Sequence, residues 1–203
     1  MTDWGEVLPP EFYEREVHAL AEALLGQVLV SETGGVRVAG RLVEVEVYGG
    51  ADDPACHADR GVPTERTRSM FGESGIAYVY RIYGMYDCLN VVAPRGEEGK
   101  AAAILIRAVE PLAGIETMHE RRDTDRRRNL TSGPGKLCQA FAITRELDGH
   151  PLHAAPLQIC AGDRVAPSLV VRTPRIGLNE TTCGASTHFL WRYVERENPH
   201  LSR

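Results

Sequence analysis

Arg41-Leu42-Val43-Glu44-Val45-Glu46-Val47-Tyr48 alternates polar and apolar side chains without interruption from Val43 onward. A strand repeats every two residues, so this spacing predicts a β-strand with Val43, Val45 and Val47 on one face. Glu44, Glu46 and Tyr48 then share the other face. Taken alone, the pattern fits an ordinary half-solvated strand. The sequel, Gly49-Gly50-Ala51-Asp52-Asp53-Pro54-Ala55-Cys56-His57-Ala58, shifts the balance. A glycine-rich turn followed by acids and an imidazole returns polar groups over the strand end. A carboxylate, a tyrosine and a histidine can converge there, as in an active site. A lone histidine is more often structural than catalytic. Adjacent Cys56 and His57 rarely chelate one ion and no second ligand pair follows, so no metal is expected.

Further along, Tyr78-Val79-Tyr80-Arg81-Ile82-Tyr83-Gly84-Met85-Tyr86 holds four of the seven tyrosines. Gly84 can break this stretch into a hairpin. Tyr78 and Tyr80 fall on one face of a regular strand, and Tyr83 falls near the tip. Aromatic rings beside arginine form a surface able to stack on bases, and an exposed ring at a hairpin tip can wedge between base pairs. The alternative is a hairpin folded against the body with its tyrosines half-buried. Asn90 and Arg107 interrupt the apolar stretches Cys88–Val92 and Ala103–Ala108. A buried polar group needs a partner, so each is either a satisfied core residue or faces a pocket.

The remaining chain reads as α+β with a mostly antiparallel sheet. Helices are expected over Glu11–Leu25, Glu110–Asp123 and Gly135–Ile143. Strands are expected over Gln27–Ser31, Val36–Tyr48 and Ala101–Ala108, with a hairpin over Ala77–Val92 and short strands and turns over 156–195. Residues 49–76 read as one long loop, which in a compact domain is often functional. Thr131-Ser132-Gly133-Pro134-Gly135-Lys136 reads as a helix start able to hold a phosphate, with Lys136 adding charge, although it is not a P-loop.

At 203 residues one domain is expected. The five scattered cysteines without a C-x-x-C argue for a reduced, intracellular chain and against a disulfide framework or structural zinc. No signal peptide or membrane span is apparent, and a cytoplasmic location is expected. The net charge of −5 opposes nucleic-acid binding, but it is unevenly spread. Residues 1–50 carry nine acids and three bases, whereas residues 121–145 carry six arginines and one lysine against two aspartates, a net of +5. A local basic face suffices for a limited phosphate footprint.

The stretches Val43–Tyr48, Asp52–Ala58, Tyr78–Tyr86 with Asn90, Leu105–Pro111, Ser132–Leu137 and Pro174–Gly177 together resemble the alkyladenine (3-methyladenine, N-methylpurine) DNA glycosylases, in family order. The resemblance implies one domain over residues 1–203 with a curved antiparallel sheet, flanking helices and a protruding β-hairpin. It implies Glu46 as general base, with Arg107 and the Ile176 carbonyl helping to hold the water. Tyr48, His57 and Tyr80 would sandwich a flipped base, Tyr78 would support His57, and Asn90 would crowd the 2-amino group of guanine. Tyr83 would fill the vacated stack, while Met85, Ser132, Gly133 and Lys136 would meet the DNA backbone. No cofactor is implied, the expected partner is double-stranded DNA containing damaged purines, and a monomer is expected. The rival readings are a catalytically silent nucleic-acid binding module on the same fold and a metal-dependent hydrolase using His57 and nearby acids. The family often has Thr and Ala where this chain has Val45 and Val47, and a small residue at Cys56.

Overall fold

A computed structural model describes residues 4–49, 53–96 and 99–202. Gly50, Ala51 and Asp52 of the glycine-rich turn lie outside the described residues. The strands are β1 (Val28–Ser31), β2 (Val38–Tyr48), β3 (Ala77–Ile82), β4 (Tyr86–Ala93), β5 (Ala102–Ala113), β6 (His153–Ala154), β7 (Leu157–Cys160), β8 (Val170–Thr173) and β9 (Arg192–Glu195). They form one curved sheet in the order β3-β4-β5-β2-β1-β7-β6, with β9 also on β2 and β8 on β9. Every pairing is antiparallel. Four short helices flank it: α1 (Val17–Leu24), α2 (Ile115–Arg122), α3 (Pro134–Ala140) and α4 (Glu180–Cys183).

β2 is the spine of this sheet. Its first half pairs with β1, its stretch Glu44–Glu46 pairs with β9, and its other edge pairs with β5 throughout. The strand is therefore buried on both faces rather than half-solvated, and Glu44 and Glu46 are both fully buried. The β2–β5 register slips on either side of Glu44: Leu42 faces Val109, Glu44 faces Ala108 and Val45 faces Ile106. Val43 on one strand and Arg107 on the other are left as bulge residues. A bulge re-aims side chains, and this one corrects the simple alternation. Leu42 joins Val45 and Val47 in the main core, in the place that strict alternation assigns to Val43.

Two helix expectations are corrected, and one helix is added. The segment Glu11–Leu25 is not one helix. Pro10–Glu14 is a 3₁₀ turn, Arg15 is extended, and the Glu16 carboxylate caps α1 by accepting from the His18 and Ala19 N–H groups. Glu110–Asp123 divides as well, because β5 continues through Pro111 to Ala113 before Gly114 turns the chain into α2. Gly114 has φ 69°, and a Cβ there would lie 2.7 Å from the Arg37 carbonyl oxygen, so only glycine fits. Over 156–195 the short strands are joined by α4, which the Asn179 side chain caps.

The main core lies between the sheet and α1 and α3, with Leu20, Leu24, Ile104, Ile106 and Phe141 at its centre. Each such side chain stabilises the fold by roughly 1.5–3 kcal/mol through burial. A smaller cluster on the opposite face of β2 joins Cys56, Met70, Tyr78 and Ala103, with Tyr48 and Tyr80 packed against it. That second face carries the polar residues of interest.

Candidate active site

Glu44 and Glu46 project from the same face of β2, and Arg107 reaches both from the β5 bulge. Its Nε donates to Glu44 Oε1 (3.0 Å) and its Nη1 to Glu46 Oε2 (3.1 Å). The two carboxylates are otherwise very different. Glu44 accepts four bonds, from Arg107 Nε, Arg192 Nε and Ser202 Oγ on Oε1 and from the Ser202 N–H on Oε2. Glu46 accepts from Tyr48 Oη (3.0 Å) and Arg107 Nη1 on one oxygen, and from the Ile176 N–H (2.8 Å) on the other. A carboxylate has about four acceptor positions, which among the described residues leaves one open on Glu46 Oε1. Burial raises the Glu46 pKa above the usual carboxylate value, and Arg107, the Ile176 N–H and Tyr48 offset this only in part. A buried, partly open carboxylate with raised basicity is suited to taking a proton from water. Ile176 touches Glu46 through its N–H.

Next to Glu46 lies a pocket lined by Tyr48, His57, Tyr78, Tyr80, Asn90 and Met70. His57 Nδ1 lies 2.9 Å from Tyr78 Oη, and Arg66 Nη2 lies 3.3 Å from His57 Nε2. Arginine only donates, so Nε2 is the acceptor and the ring proton sits on Nδ1, which donates to Tyr78. Burial, with Arg66 nearby, lowers the His57 pKa to about 4 even though its outer edge is exposed, so the ring is neutral near pH 7. Asn90 is buried and donates to the Tyr78 carbonyl (3.0 Å), which fixes its direction. The His57 and Tyr80 rings meet edge-to-face, with centroids 4.6 Å apart and planes at 82°. The free volume is only about 20 Å³, roughly one water. A flat ring enters only if these side chains rotate.

At the far end of β3, the chain reverses through Tyr83 (φ 51°) and Gly84 (φ 70°), closed by Met85 N–H donating to the Ile82 carbonyl. Tyr83 is 87% exposed and Met85 67%. Both project from the hairpin tip. Tyr86 behaves differently: its side chain lies against Gly135 of α3, where an added Cβ would approach the ring to 3.2 Å, so it anchors the hairpin base. Ser132 and Lys136 line a cavity of about 290 Å³ together with Arg126, Arg128 and Asn129. Gly133 sits beside it as the residue preceding α3, with φ 144°.

Comparison with known proteins decides the kinship of this arrangement. The family model described as methylpurine-DNA glycosylase matches residues 11–199. The chain belongs to the methylpurine-DNA glycosylase family. Members hydrolyse N-glycosyl bonds of alkylated bases in DNA repair. A protein of Methanocella arvoryzae named "Putative 3-methyladenine DNA glycosylase" is 44% identical over 97% of this chain and 96% of its own length. Proteins of the same name are 47% identical in Methanoculleus marisnigri, over 93% of this chain and 98% of the relative, and 41% identical in Clostridium acetobutylicum, over 95% of each.

In this glycosylase the residues that sequence reasoning overlooked are the ones that hold the site together. Asp53 and Arg175 form a fully buried ion pair, with Nη1–Oδ2 2.5 Å and Nη2–Oδ1 2.7 Å. Asp53 also accepts from the Gly49 and Ala55 N–H groups, so both its oxygens are taken. That donor set does not suit a metal ligand, which counts against the hydrolase alternative. Arg175 donates to the Val47 carbonyl and stacks on Tyr48 at 4.7 Å and Trp191 at 5.1 Å. One arginine thus ties the loop after β2, the Ile176 segment and the Tyr48 ring together. Its position beside Ile176 in the motif was the available signal. Among the described residues, no helix is long and apolar enough to cross a membrane.

Proposed function

We propose that this glycosylase excises damaged purines of the 3-methyladenine, 7-methylguanine, hypoxanthine and ethenoadenine class from duplex DNA, using a water activated by Glu46. The observation that carries this reading is the buried Glu46 carboxylate, tied through the Tyr48 hydroxyl to the tyrosine and histidine pocket that the Tyr48 ring lines. A base cannot be attacked while stacked, so it is flipped out, and damaged pairs flip at least cost. Tyr48 and the His57–Tyr80 pair take the two faces of the flipped ring. Asn90, held by the Tyr78 carbonyl, crowds a guanine 2-amino group. Tyr83 enters the vacated stack. Met85, Ser132, Gly133 and Lys136 meet the backbone, joined by Arg126 and Arg128, whose charges share the Lys136 cavity.

The reaction then balances simply. Water gives a proton to Glu46 Oε1 and its oxygen bonds to the sugar C1′. The glycosidic C–N bond breaks, with its electron pair leaving on the base. A cationic alkylpurine departs as a neutral molecule. Arg107 and the Ile176 backbone orient the water. The two lysines, Lys100 and Lys136, are both absent from the pocket lining, so a Schiff base and strand cleavage are not expected. The protein acts as a monomer within one domain spanning residues 1–203.

The test is single-turnover base release from duplexes carrying hypoxanthine, ethenoadenine or 3-methyladenine. Release should persist in EDTA and fall by about 10²–10⁴-fold in Glu46→Gln. Undiminished release in that variant sinks the mechanism, and loss in EDTA restores the metal alternative.

A further inference from the structure

We infer that Glu44 is a positioning residue for the reaction: it holds Arg107 side-on, so that Arg107 gives Glu46 a single hydrogen bond in place of a two-pronged clamp. This rests on Glu46 being the base. Glu44 is fully buried two residues from Glu46 and accepts four hydrogen bonds, three of them on Oε1, where Glu46 accepts three in all. Its contacts are specific. Arg107 donates its Nε to Glu44 Oε1 and to Ser202 Oγ, and Ser202 in turn grips Glu44 through both its hydroxyl and its N–H, each at 2.6 Å. Only Nη1 reaches Glu46, and Nη2 has no protein acceptor among the described residues.

An arginine next to one carboxylate prefers two parallel bonds. Such a clamp on Glu46 would occupy the oxygen that must accept the water proton and would make the carboxyl more acidic. Glu44 prevents this by claiming the Nε edge, with Ser202 as the latch. It also balances the buried charge. Glu44 and Glu46 face Arg107 from β5 and Arg192 from β9, the latter donating to Glu44 at 2.7 Å and to Thr173. The other groups facing Glu46 are Tyr48 on its own strand and Arg175 beside Ile176, and Arg175 is paired with Asp53. Removing the Glu44 charge therefore leaves two cations, Arg107 and Arg192, to act on Glu46 alone.

The experiment is the pH dependence of single-turnover hypoxanthine release at saturating duplex. In Glu44→Gln the acidic limb should move down by about one pH unit, the direction of an added nearby cation. The plateau rate should fall about tenfold or more, while duplex affinity is unchanged. Glu44→Asp, which keeps the charge, should return the limb to its original position. Because Glu44→Gln strands two buried arginines, Glu44→Gln/Arg192→Gln provides a charge-balanced second variant, and it should show a smaller downward shift, from the freed Arg107 alone. An acidic limb that stays in place in either folded variant, with release still lost in Glu46→Gln, overturns this inference and leaves the base assignment standing. Undiminished release in Glu46→Gln overturns both.

Discussion

Replacing Tyr83 by asparagine should make the protein more stable and less active on duplex DNA. Tyr83 sits at φ 51°, a conformation that L-residues adopt at a cost of about 1–2 kcal/mol. Asparagine tolerates this region better than any other residue except glycine, and it avoids the extra unfolded-chain freedom of glycine. With 87% of Tyr83 exposed, almost no burial is lost in the exchange. The expected gain is roughly 0.5–1 kcal/mol, or a Tm higher by about 1–4 °C for a chain of this size. Activity should move the other way. Unstacking a base costs a few kcal/mol, and a wedge that repays part of it contributes on the order of tenfold. Release from duplex hypoxanthine should therefore fall about tenfold, whereas release from single strands should change less than about twofold. Thermal melts and paired single-turnover assays measure both halves. A lower Tm would mean that the ring packs on the body, and equal losses on both substrates would refute the wedge.

Asp53→Asn should cost about 3–5 kcal/mol in denaturant unfolding, since it strands a buried arginine, and Asp53→Asn/Arg175→Met should recover part of it; a loss below about 1 kcal/mol contradicts the ion pair's role. His57 has a folded pKa of about 4 against 6.5 for the free side chain, so its contribution to stability is complete above pH 6.5 and is lost as pH falls through that window. His57→Asn should flatten the fall in Tm over those pH values, and an unchanged slope contradicts the assignment. Arg128→Gln and Lys136→Gln should each reduce the slope of log affinity against log salt by about one, read from duplex titrations; unaltered slopes place these side chains off the DNA.

The strand bearing Glu46 and the tyrosine hairpin were legible in the sequence because period-two alternation and a positive-φ glycine are local signals. Burial of Glu44 was not, because it depends on β9 and Ser202, more than 140 residues away. The bulge at Val43 and Arg107 was equally hidden. A register slip belongs to the pairing of two strands, and each strand alone reads as regular. A helix was expected from Glu110, yet pairing of Gly40 with Pro111 carries β5 five residues beyond Ala108, to Ala113, before Gly114 ends it. Asp53 read as one acid among several near a histidine. Its commitment to Arg175 is a tertiary contact that spacing cannot reveal.

The turns that carry His57 are built differently from the strand that carries Glu46. From residue 54 to residue 72 the backbone bonds are short-range links such as Asp59 to Cys56, Thr67 to Thr64 and Gly72 to Ser69. Glu46 instead lies where β2 is laced to β5 on one edge and β9 on the other. In hydrogen-exchange terms this predicts separate cooperative units, with the amides of residues 54–72 exchanging while those around Glu46 stay protected. On the roles proposed above, a slot with room for one water would breathe to admit rings of different outline, and the Glu46 oxygen would not have to be re-aimed each time. Breadth of lesion choice and accuracy of attack would then be independently adjustable, the first by substitutions in the loop and the second by substitutions in the strand.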